Sequence, residues 1–416
     1  MLLVLRGLSL MGRREIVKNL IYKSSSRTLA SLYQYRPHPV KLIPIGIYNN
    51  DKIKIIKCKF HTTQRLCIPP VLALIIRPLT RFGALLFGRL FKRWWSRKTP
   101  EEKEMYKKWF SARRQKIYGA LGFLLVSLFT VYALHLETDP LTGRTRFIFL
   151  NDEQQDALGQ LTLDAHLEQH NHLIVPKNHP AYIRLSSITD RILMANEDLP
   201  QVAKRKWTLT VIDSDLKNAF VLPSGNIFVF LGALRMTEND DQLAIILAHE
   251  IAHVLLLHPI EQVSRSIMLD ILLALPIALI WAMFPDLLAI VFQALGVNIA
   301  DILLTLPYSR QLENEADYVG LKLAAKACFD VREAVVLWGL MRSLTELNVA
   351  SKEIPWLSTH PNHEDRERNL NAKLPEAINL RMGRKCPRLN PVDPIKFFNS
   401  LTIKEREARL KANGIL

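Results

Sequence analysis

Residues 241–258 read DQLAIILAHEIAHVLLLH, an apolar stretch interrupted by His249, Glu250 and His253. Apolar residues on almost every side predict a buried helix. His249 and His253 are four residues apart, so their side chains lie one above the other on one helix face. Two imidazoles at this spacing can bind one zinc ion, with Glu250 beside them to accept a proton from water. The stretch therefore predicts His249 and His253 as zinc ligands and Glu250 as a general base.

The third zinc ligand must come from another part of the chain. One class of zinc peptidase places a histidine ten residues after the first one, but Pro259 stands there. His258 is nine residues after His249, and on a continued helix it would face the opposite side. We therefore expect His258 to be a capping or surface histidine rather than a ligand.

Residues 309–317, SRQLENEAD, offer a carboxylate ligand on a second helix. Glu313 and Asp317 are four residues apart and share a helix face, whereas Glu315 points away from it. Apolar residues continue this pattern to residue 324, so the face is expected to be buried. We predict that Glu313 is the third zinc ligand and that Asp317 accepts the N–H of a ligating imidazole.

An extended region precedes the first of these helices. Residues 207–213 alternate and are rich in β-branched side chains, and residues 220–222 and 227–231 flank the turn composition Pro-Ser-Gly-Asn. This pattern predicts a small sheet that ends in a hairpin. With the two helices it predicts a mostly helical α+β fold, whose zinc metallopeptidase domain we place at residues 150–372.

Residues 117–136, IYGALGFLLVSLFTVYALHL, carry no formal charge and are long enough to cross a bilayer as a helix. Several Lys and Arg residues precede this stretch, and Glu137 and Asp139 follow it. Basic residues are enriched on the side of a membrane that corresponds to the cytoplasm. We therefore expect a transmembrane helix with the N-terminus on that side and the bulk of the chain on the other.

The basic excess of the chain lies before this span, because residues 1–116 contain 26 Lys/Arg against 5 Asp/Glu. Residues 1–65 are rich in Arg and Ser and poor in acids, which predicts a mitochondrial transit peptide. Residues 66–116 are expected to lie on the matrix face, against anionic inner-membrane lipids, or to form a flexible linker. No finger motif or aromatic basic groove accompanies the charge, so no nucleic-acid binding is expected.

A second hydrophobic block covers residues 267–306. Asp270 and Pro276 interrupt it, so we expect either a hairpin embedded in the membrane or an ordinary pair of core helices. Residues 373–416 form a C-terminal extension without a recognisable motif. Cys328 lies in a helical apolar pattern, which predicts a small buried side chain, and pairing with Cys386 is the alternative in an oxidising compartment.

Four motifs occur in order along the chain: NAFVLPSGNIFVFLGAL, HEIAH, SRQLENEAD and STHPNHEDR. In this order, over roughly residues 180–372, they resemble the HtpX- and CAAX-prenyl-protease-like family of gluzincin metallopeptidases. The resemblance implies one Zn²⁺ per chain held by His249, His253 and Glu313, with Glu250 as general base. The transit peptide, the single upstream span and the length are similar to those of a mitochondrial inner-membrane member of this family.

The resemblance also implies roles for residues that spacing alone does not identify. Asn218 and Ala219 would belong to an edge strand that pairs with the substrate backbone. His360 would assist near the oxyanion, although His363 competes with it for this place. Arg366, on the following helix, would support the site.

The activity implied by the resemblance is that of a zinc metalloendopeptidase in the inner mitochondrial membrane, single-pass, with its N-terminus in the matrix and its peptidase domain in the intermembrane space. Its substrates would be membrane-anchored proteins, such as a dynamin-related fusion GTPase, cleaved in quality control and stress. Two alternatives are a CAAX-type prenyl-protein protease of the endoplasmic reticulum and a non-catalytic membrane scaffold with a dormant zinc site. The sequence leaves a homo-oligomer open.

Overall fold

The computed structural model describes residues 70–346, 354–360 and 364–412. The expected transit peptide, residues 1–65, lies outside the described residues. The same holds for His363, the competitor of His360.

Helices predominate and strands are few, which confirms the mostly helical composition with small sheets. The helices are α1 (Pro70–Ser96), α2 (Pro100–Ala112), α3 (Arg114–Leu134), α4 (Asp152–His170), α5 (Pro180–Ala195), α6 (Pro200–Ala203), α7 (Asp240–Leu255), α8 (His258–Met283), α9 (Asp286–Ala300), α10 (Leu306–Lys326), α11 (Glu333–Glu346), α12 (Pro355–Thr359), α13 (Glu364–Gly383), α14 (Pro394–Ser400) and α15 (Ile403–Ala412). The strands are β1 (Leu136–Thr138), β2 (Thr145–Phe147), β3 (Thr208–Ile212), β4 (Ala219–Val221) and β5 (Asn226–Phe230).

The strands form two small sheets. β1 and β2 make an antiparallel hairpin directly after α3. The second sheet has the order β3-β5-β4, in which β5 runs parallel to β3 and antiparallel to β4. The predicted sheet with a terminal hairpin is therefore confirmed, and β4 is an outer strand.

Helix α7 lies in the main hydrophobic core. The Asn239 side chain caps it by accepting the backbone N–H of Gln242 at 2.8 Å. The helix packs against β4, α5, α10 and α11, and every side chain from Gln242 to Leu255 is buried. Helix α10 approaches it closely at Gly320, where an added Cβ would lie 2.9 Å from the Cα and N atoms of His249.

Three helical stretches of the described chain are long and apolar enough to cross a membrane: Arg114–Leu134, His258–Met283 and Asp286–Lys326. No residue of α3 is buried, and in α9 only Ala289 is buried. An ordinary pair of core helices would bury its apolar faces. The exposed faces of α8 and α9 therefore favour the alternative in which residues 267–306 enter the membrane.

Helix α1 packs along α8, and the two helices run in the same direction. Arg81 pairs with the buried Asp270 at 2.6 Å, and Lys92 pairs with Asp286 at 2.5 Å. Asp286 begins α9, but Gly88 of α1 lies against Ala278 and Trp281 of α8, beyond the Arg81–Asp270 pair on both helices, which establishes the parallel direction. Residues 70–96 of the 66–116 segment thus form a helix with a packing partner, which disagrees with the flexible-linker alternative for this part.

Cys328 does not lie in a helix, because α10 ends at Lys326 and Cys328 has a left-handed backbone with φ of 64°. It forms a disulfide with Cys386, which follows α13. The interpretation of Cys328 as a small buried helical side chain is therefore wrong, and the pairing alternative is the one observed. A disulfide favours an oxidising compartment.

The α1–α8 contact leads to a prediction about two glycines of α1. An added Cβ at Gly88 would collide with the carbonyl oxygen of Ala278 and lie 2.7 Å from the Cβ of Trp281, whereas at Gly83 it would meet nothing within 4 Å. Replacing a helical glycine by alanine gains up to about 1 kcal/mol of helix propensity at either position. Gly83→Ala should therefore keep or raise the melting temperature of the detergent-solubilised protein, and Gly88→Ala should lower it. Equal melting temperatures would contradict this packing.

Candidate metal centre

Helix α7 places the two expected imidazole ligands and the expected base in the protein interior. His249, Glu250 and His253 are 3%, 4% and 8% exposed. The Nε2 atoms of both imidazoles face the same point and are 3.1 Å apart. Burying polar groups costs free energy unless they have polar partners inside the protein, so these three side chains need hydrogen-bond or charge partners from other elements.

Helix α10 brings the carboxylate of Glu313 to this point. Its Oε2 lies 3.4 Å from Nε2 of His249, and its Oε1 lies 3.4 Å from Nε2 of His253. Glu313 stands seven residues, about two helical turns, before Gly320. The close approach of the helices at Gly320 therefore positions this carboxylate above the two histidines.

The spacing of these atoms fits a tetrahedral zinc ion. Zinc bonds to nitrogen and oxygen of about 2.0–2.1 Å place neighbouring ligand atoms about 3.3–3.4 Å apart. The three separations in the structure lie between 3.1 and 3.4 Å. Two imidazoles and one carboxylate are also a donor set of catalytic zinc sites, so the residues present fit the ion.

His360, which follows α12, belongs to the same cluster. Its Nδ1 lies 3.3 Å from Nε2 of His249 and 3.0 Å from Oε2 of Glu313, and the ligand atoms of these residues and His253 all lie within 4.8 Å of one another. The imidazole of His360 thus lies beside the three expected ligands, where a fourth ligand of the ion would be. Catalytic zinc sites leave this position to water or substrate. A role for His360 near the oxyanion therefore requires its imidazole to move away from this position.

Asp317 and Arg366 contact the ligands from outside the cluster. Oδ1 of Asp317 lies 3.0 Å from Nδ1 of His249. Arg366 is fully buried and donates to both oxygens of Asp317, at 2.7 and 2.6 Å, and to Oε2 of Glu313 at 2.9 Å. A bidentate guanidinium–carboxylate pair has a fixed geometry, so Arg366 fixes the carboxylate that faces the expected ligand His249.

The protonation of the two imidazoles follows from burial and from these carboxylates. Burial lowers the pKa of His249, but Asp317 and Glu313 more than offset this and raise it to about 9. Burial and the neighbouring charge of His249 lower the pKa of His253 well below its ordinary value. At neutral pH the imidazole pair thus carries one positive charge beside two carboxylates, and a bound divalent cation would replace that proton.

His258 is not the capping or surface residue that we expected. It is fully buried, and its Nδ1 lies 2.9 Å from Nδ1 of His253. Leu257 has a left-handed backbone with φ of 53°, so α7 ends before His258 and α8 begins with it. The side chain of His258 therefore does not point in the direction expected for a continuous helix. Pro259 was the sequence signal for this break between the helices, because proline is favoured in the first turn of a new helix.

Trp356 is a second residue that the sequence analysis missed. Its indole Nε1 donates to Oε1 of Glu250 at 2.7 Å, and its backbone N–H donates to the carbonyl of Lys217 at 3.3 Å. These two bonds connect α12 with the predicted base and with the loop that leads into β4. No spacing rule relates positions 250 and 356, so only the closeness of a tryptophan to His360 hinted at the contact.

Ala219 begins β4, which packs against α7, and Asn218 directly precedes this strand. The carbonyl of Asn218 accepts the N–H of Phe230 at 3.2 Å, and Ala219 is paired with Val229. Both pairs link β4 to β5. Among the described strands none pairs with the opposite edge of β4, and an extended peptide can in general add to such an edge.

Comparison with known proteins places this geometry in a family. The model of peptidase family M48 matches residues 184–374. The human protein "Metalloendopeptidase OMA1, mitochondrial" is 35% identical over 346 residues, which cover 82% of this chain and 66% of the relative. The relative of the same name from Danio rerio is 36% identical over 344 residues, covering 82% and 72%. "Mitochondrial metalloendopeptidase OMA1" of Saccharomyces cerevisiae is 32% identical over 298 residues, covering 68% and 82%.

The aligned part of this chain spans slightly less than two thirds of the human relative and most of the yeast one. The M48 match contains α7, α10 and the beginning of α13, which are the helices that carry the cluster and Arg366. The matched region therefore includes every residue of the cluster. The chain therefore belongs to peptidase family M48 and, within it, to the mitochondrial metalloendopeptidases of the OMA1 type.

Proposed function

We propose that this chain is a zinc-dependent endopeptidase of the inner mitochondrial membrane that cleaves membrane-anchored proteins. The observation that carries the proposal is the cluster of His249, His253 and Glu313 at zinc-ligand spacing, with Glu250 beside it. A buried carboxylate costs free energy. A scaffold with a dormant site would gain nothing from Glu250, whereas hydrolysis requires a base at this place.

The roles of the side chains follow from the contacts. Zinc held by His249, His253 and Glu313 would polarise water and the scissile carbonyl. Trp356 and His360 both lie against Oε1 of Glu250, at 2.7 and 3.3 Å, so we assign proton transfer to Oε2. Glu250 takes the proton of the attacking water and returns it to the leaving amine. His360 would assist near the oxyanion after leaving the position of a fourth ligand.

The substrate would bind as an extended strand along the outer edge of the segment that holds Asn218 and Ala219, with its backbone paired to Ala219, because the carbonyl of Asn218 accepts from Phe230 and its N–H donates to Leu216. β4 packs on α7, so a peptide on its outer edge runs beside the ligand helix. The hairpin β1–β2 connects this domain to α3 within a few residues, which keeps the site near the membrane surface. Membrane-anchored proteins cut close to the bilayer, such as a dynamin-related fusion GTPase under stress, fit this placement.

The basic residues before α3 and the acidic residues after it favour a matrix side for the former and the intermembrane space for the peptidase domain. The disulfide between Cys328 and Cys386 agrees with this placement. The parallel pairing of α1 with α8 adds a condition. If α8 enters the bilayer from the peptidase side, α1 enters beside it in the same direction. Entry of α8, which the exposed faces of α8 and α9 favour, would therefore make α1 a further crossing and would disagree with a single crossing with the N-terminus in the matrix.

Glu250→Gln tests the assignment of the base. The amide keeps the size of the side chain and leaves the three ligands intact, but it cannot accept the proton. We expect zinc content near that of the wild type and a loss of peptide cleavage of at least about 100-fold, the lower range for a general base. His253→Ala, which removes a ligand, should lose both zinc and activity. Glu250→Gln protein that cleaves a peptide at more than a tenth of the wild-type rate would show that the base is another group.

Glu313→Ala tests the ligand on the second helix. Loss of a ligand atom should weaken zinc binding by more than the roughly 100-fold that outer contacts contribute at most. Asn314→Ala, at an exposed neighbouring position of α10, is the matched control and should bind zinc as the wild type does. Competition with a chromogenic chelator measures both affinities. Similar affinities for the two variants would remove α10 from the metal site.

A further inference from the structure

We propose that Arg144, Glu315 and His258 form a positioning relay. This relay holds the ring of His253 in the orientation and the tautomer required for zinc binding. The proposal rests on the proposed function, since it concerns the same site. It assigns roles to three residues that neither the spacing of the motifs nor the family resemblance identified.

The first contact of the relay fixes the ring of His253. Its Nε2 faces the metal position, 3.1 Å from Nε2 of His249, and its Nδ1 faces Nδ1 of His258 at 2.9 Å. A neutral imidazole that binds a metal through Nε2 carries its hydrogen on Nδ1. His253 therefore donates this hydrogen bond, and Nδ1 of His258 accepts it.

The second contact follows from the first. If Nδ1 of His258 accepts, its hydrogen is on Nε2. This atom lies 3.4 Å from Oε2 of Glu315, so the carboxylate faces this hydrogen as its electrostatic partner. Glu315 does point away from the metal, as the helix geometry of α10 predicted. It nevertheless acts on the site, because the turn at Leu257 places His258 between Glu315 and the ligand.

The third contact anchors the relay. Nε of Arg144 lies 2.6 Å from Oε1 of Glu315, and the two Nη atoms donate to Glu261 at 2.6 and 2.5 Å. Glu261 is 2% exposed, and the side chains of Arg144 and Glu315 are 16% and 15% exposed. One guanidinium thus holds two largely buried carboxylates. Without Arg144 they would repel each other, and Glu315 would lose its fixed position.

The relay has a counterpart on the other ligand. His249 is backed by Asp317, and Asp317 is held by Arg366 of α13. In both cases an arginine fixes a carboxylate that orients an imidazole, but on the side of His253 an additional histidine lies between them. Outer partners of this kind keep a ligating imidazole in one tautomer and one orientation.

Arg144 lies just before β2, in the hairpin that directly follows the membrane helix α3. The two ligands are therefore oriented by different parts of the chain: His249 from α13, and His253 from the hairpin next to the membrane. A change in the position of this hairpin would reach the zinc site through three side chains.

Zinc affinity and the spectrum of the cobalt-substituted protein test the relay in the full-length chain. Outer partners of ligating histidines contribute roughly 10- to 100-fold to metal affinity. We expect Glu315→Gln, Arg144→Gln and His258→Phe to weaken zinc binding within that range and to shift the visible bands of bound cobalt. Arg265→Gln is the matched control, because Arg265 lies one turn after Glu261 and donates to the carbonyl of Leu304 instead. It should stay within about twofold of the wild type, the scatter expected for a surface-type change.

The double variant His258→Phe/Glu315→Gln separates a relay from two independent structural effects. If Glu315 acts through His258, the double variant should bind zinc as weakly as His258→Phe alone. A double variant whose loss of zinc affinity equals the product of the two single losses would contradict the relay. Zinc affinities and cobalt spectra like those of the wild type in Glu315→Gln and Arg144→Gln would also contradict it. If His258→Phe does not fold, these two single variants decide the question. A wild-type chain that binds no zinc would instead overturn the proposed function.

Discussion

The candidate site depends on how closely α10 approaches α7. Gly320 lies against the backbone of His249, and even a single added methyl group would be only 2.9 Å from it. A side chain at position 320 would force the two helices apart, while the ligand distances of a zinc site must lie within about 0.2 Å of their ordinary values. Glu313 reaches the two histidines because this contact has room only for a glycine. The metal centre is thus a consequence of backbone packing as much as of ligand identity.

The same close packing forces charged groups into an apolar core. Glu313 and Asp317 are largely buried, and the single guanidinium of Arg366 contacts both of them. Buried charges cost several kcal/mol each unless they are paired, so a surplus of carboxylate over arginine favours an additional cation. The raised pKa of His249 has the same cause: the carboxylates favour a positive charge, and this imidazole holds a proton where a metal would bind. Arg366 therefore neutralises only part of the negative charge of these carboxylates, and a bound cation would neutralise the rest.

The sequence predicted those parts of the site that depend on short-range helix geometry. The four-residue spacings of His249 with His253 and of Glu313 with Asp317 define shared helix faces, and the structure brings both faces together. The surroundings were predicted less well. A left-handed residue, Leu257, redirected the chain and turned His258 inward, and the contacts of Trp356 and Arg144 join positions more than 100 residues apart. The partners of α1 were missed for the same reason, because its ion pairs depend on tertiary packing rather than on its own pattern.

The central claim is that two imidazoles and a carboxylate hold a zinc ion between α7 and α10. X-ray absorption at the zinc edge, recorded on the purified full-length chain, tests it most directly. The account predicts one zinc per chain, surrounded by nitrogen and oxygen atoms at about 2.0–2.1 Å with the scattering pattern of imidazole rings. This pattern should lose part of its imidazole contribution in His253→Ala. Sulfur ligands at about 2.3 Å, or a purified chain that retains no zinc when supplied with the metal, would contradict the account.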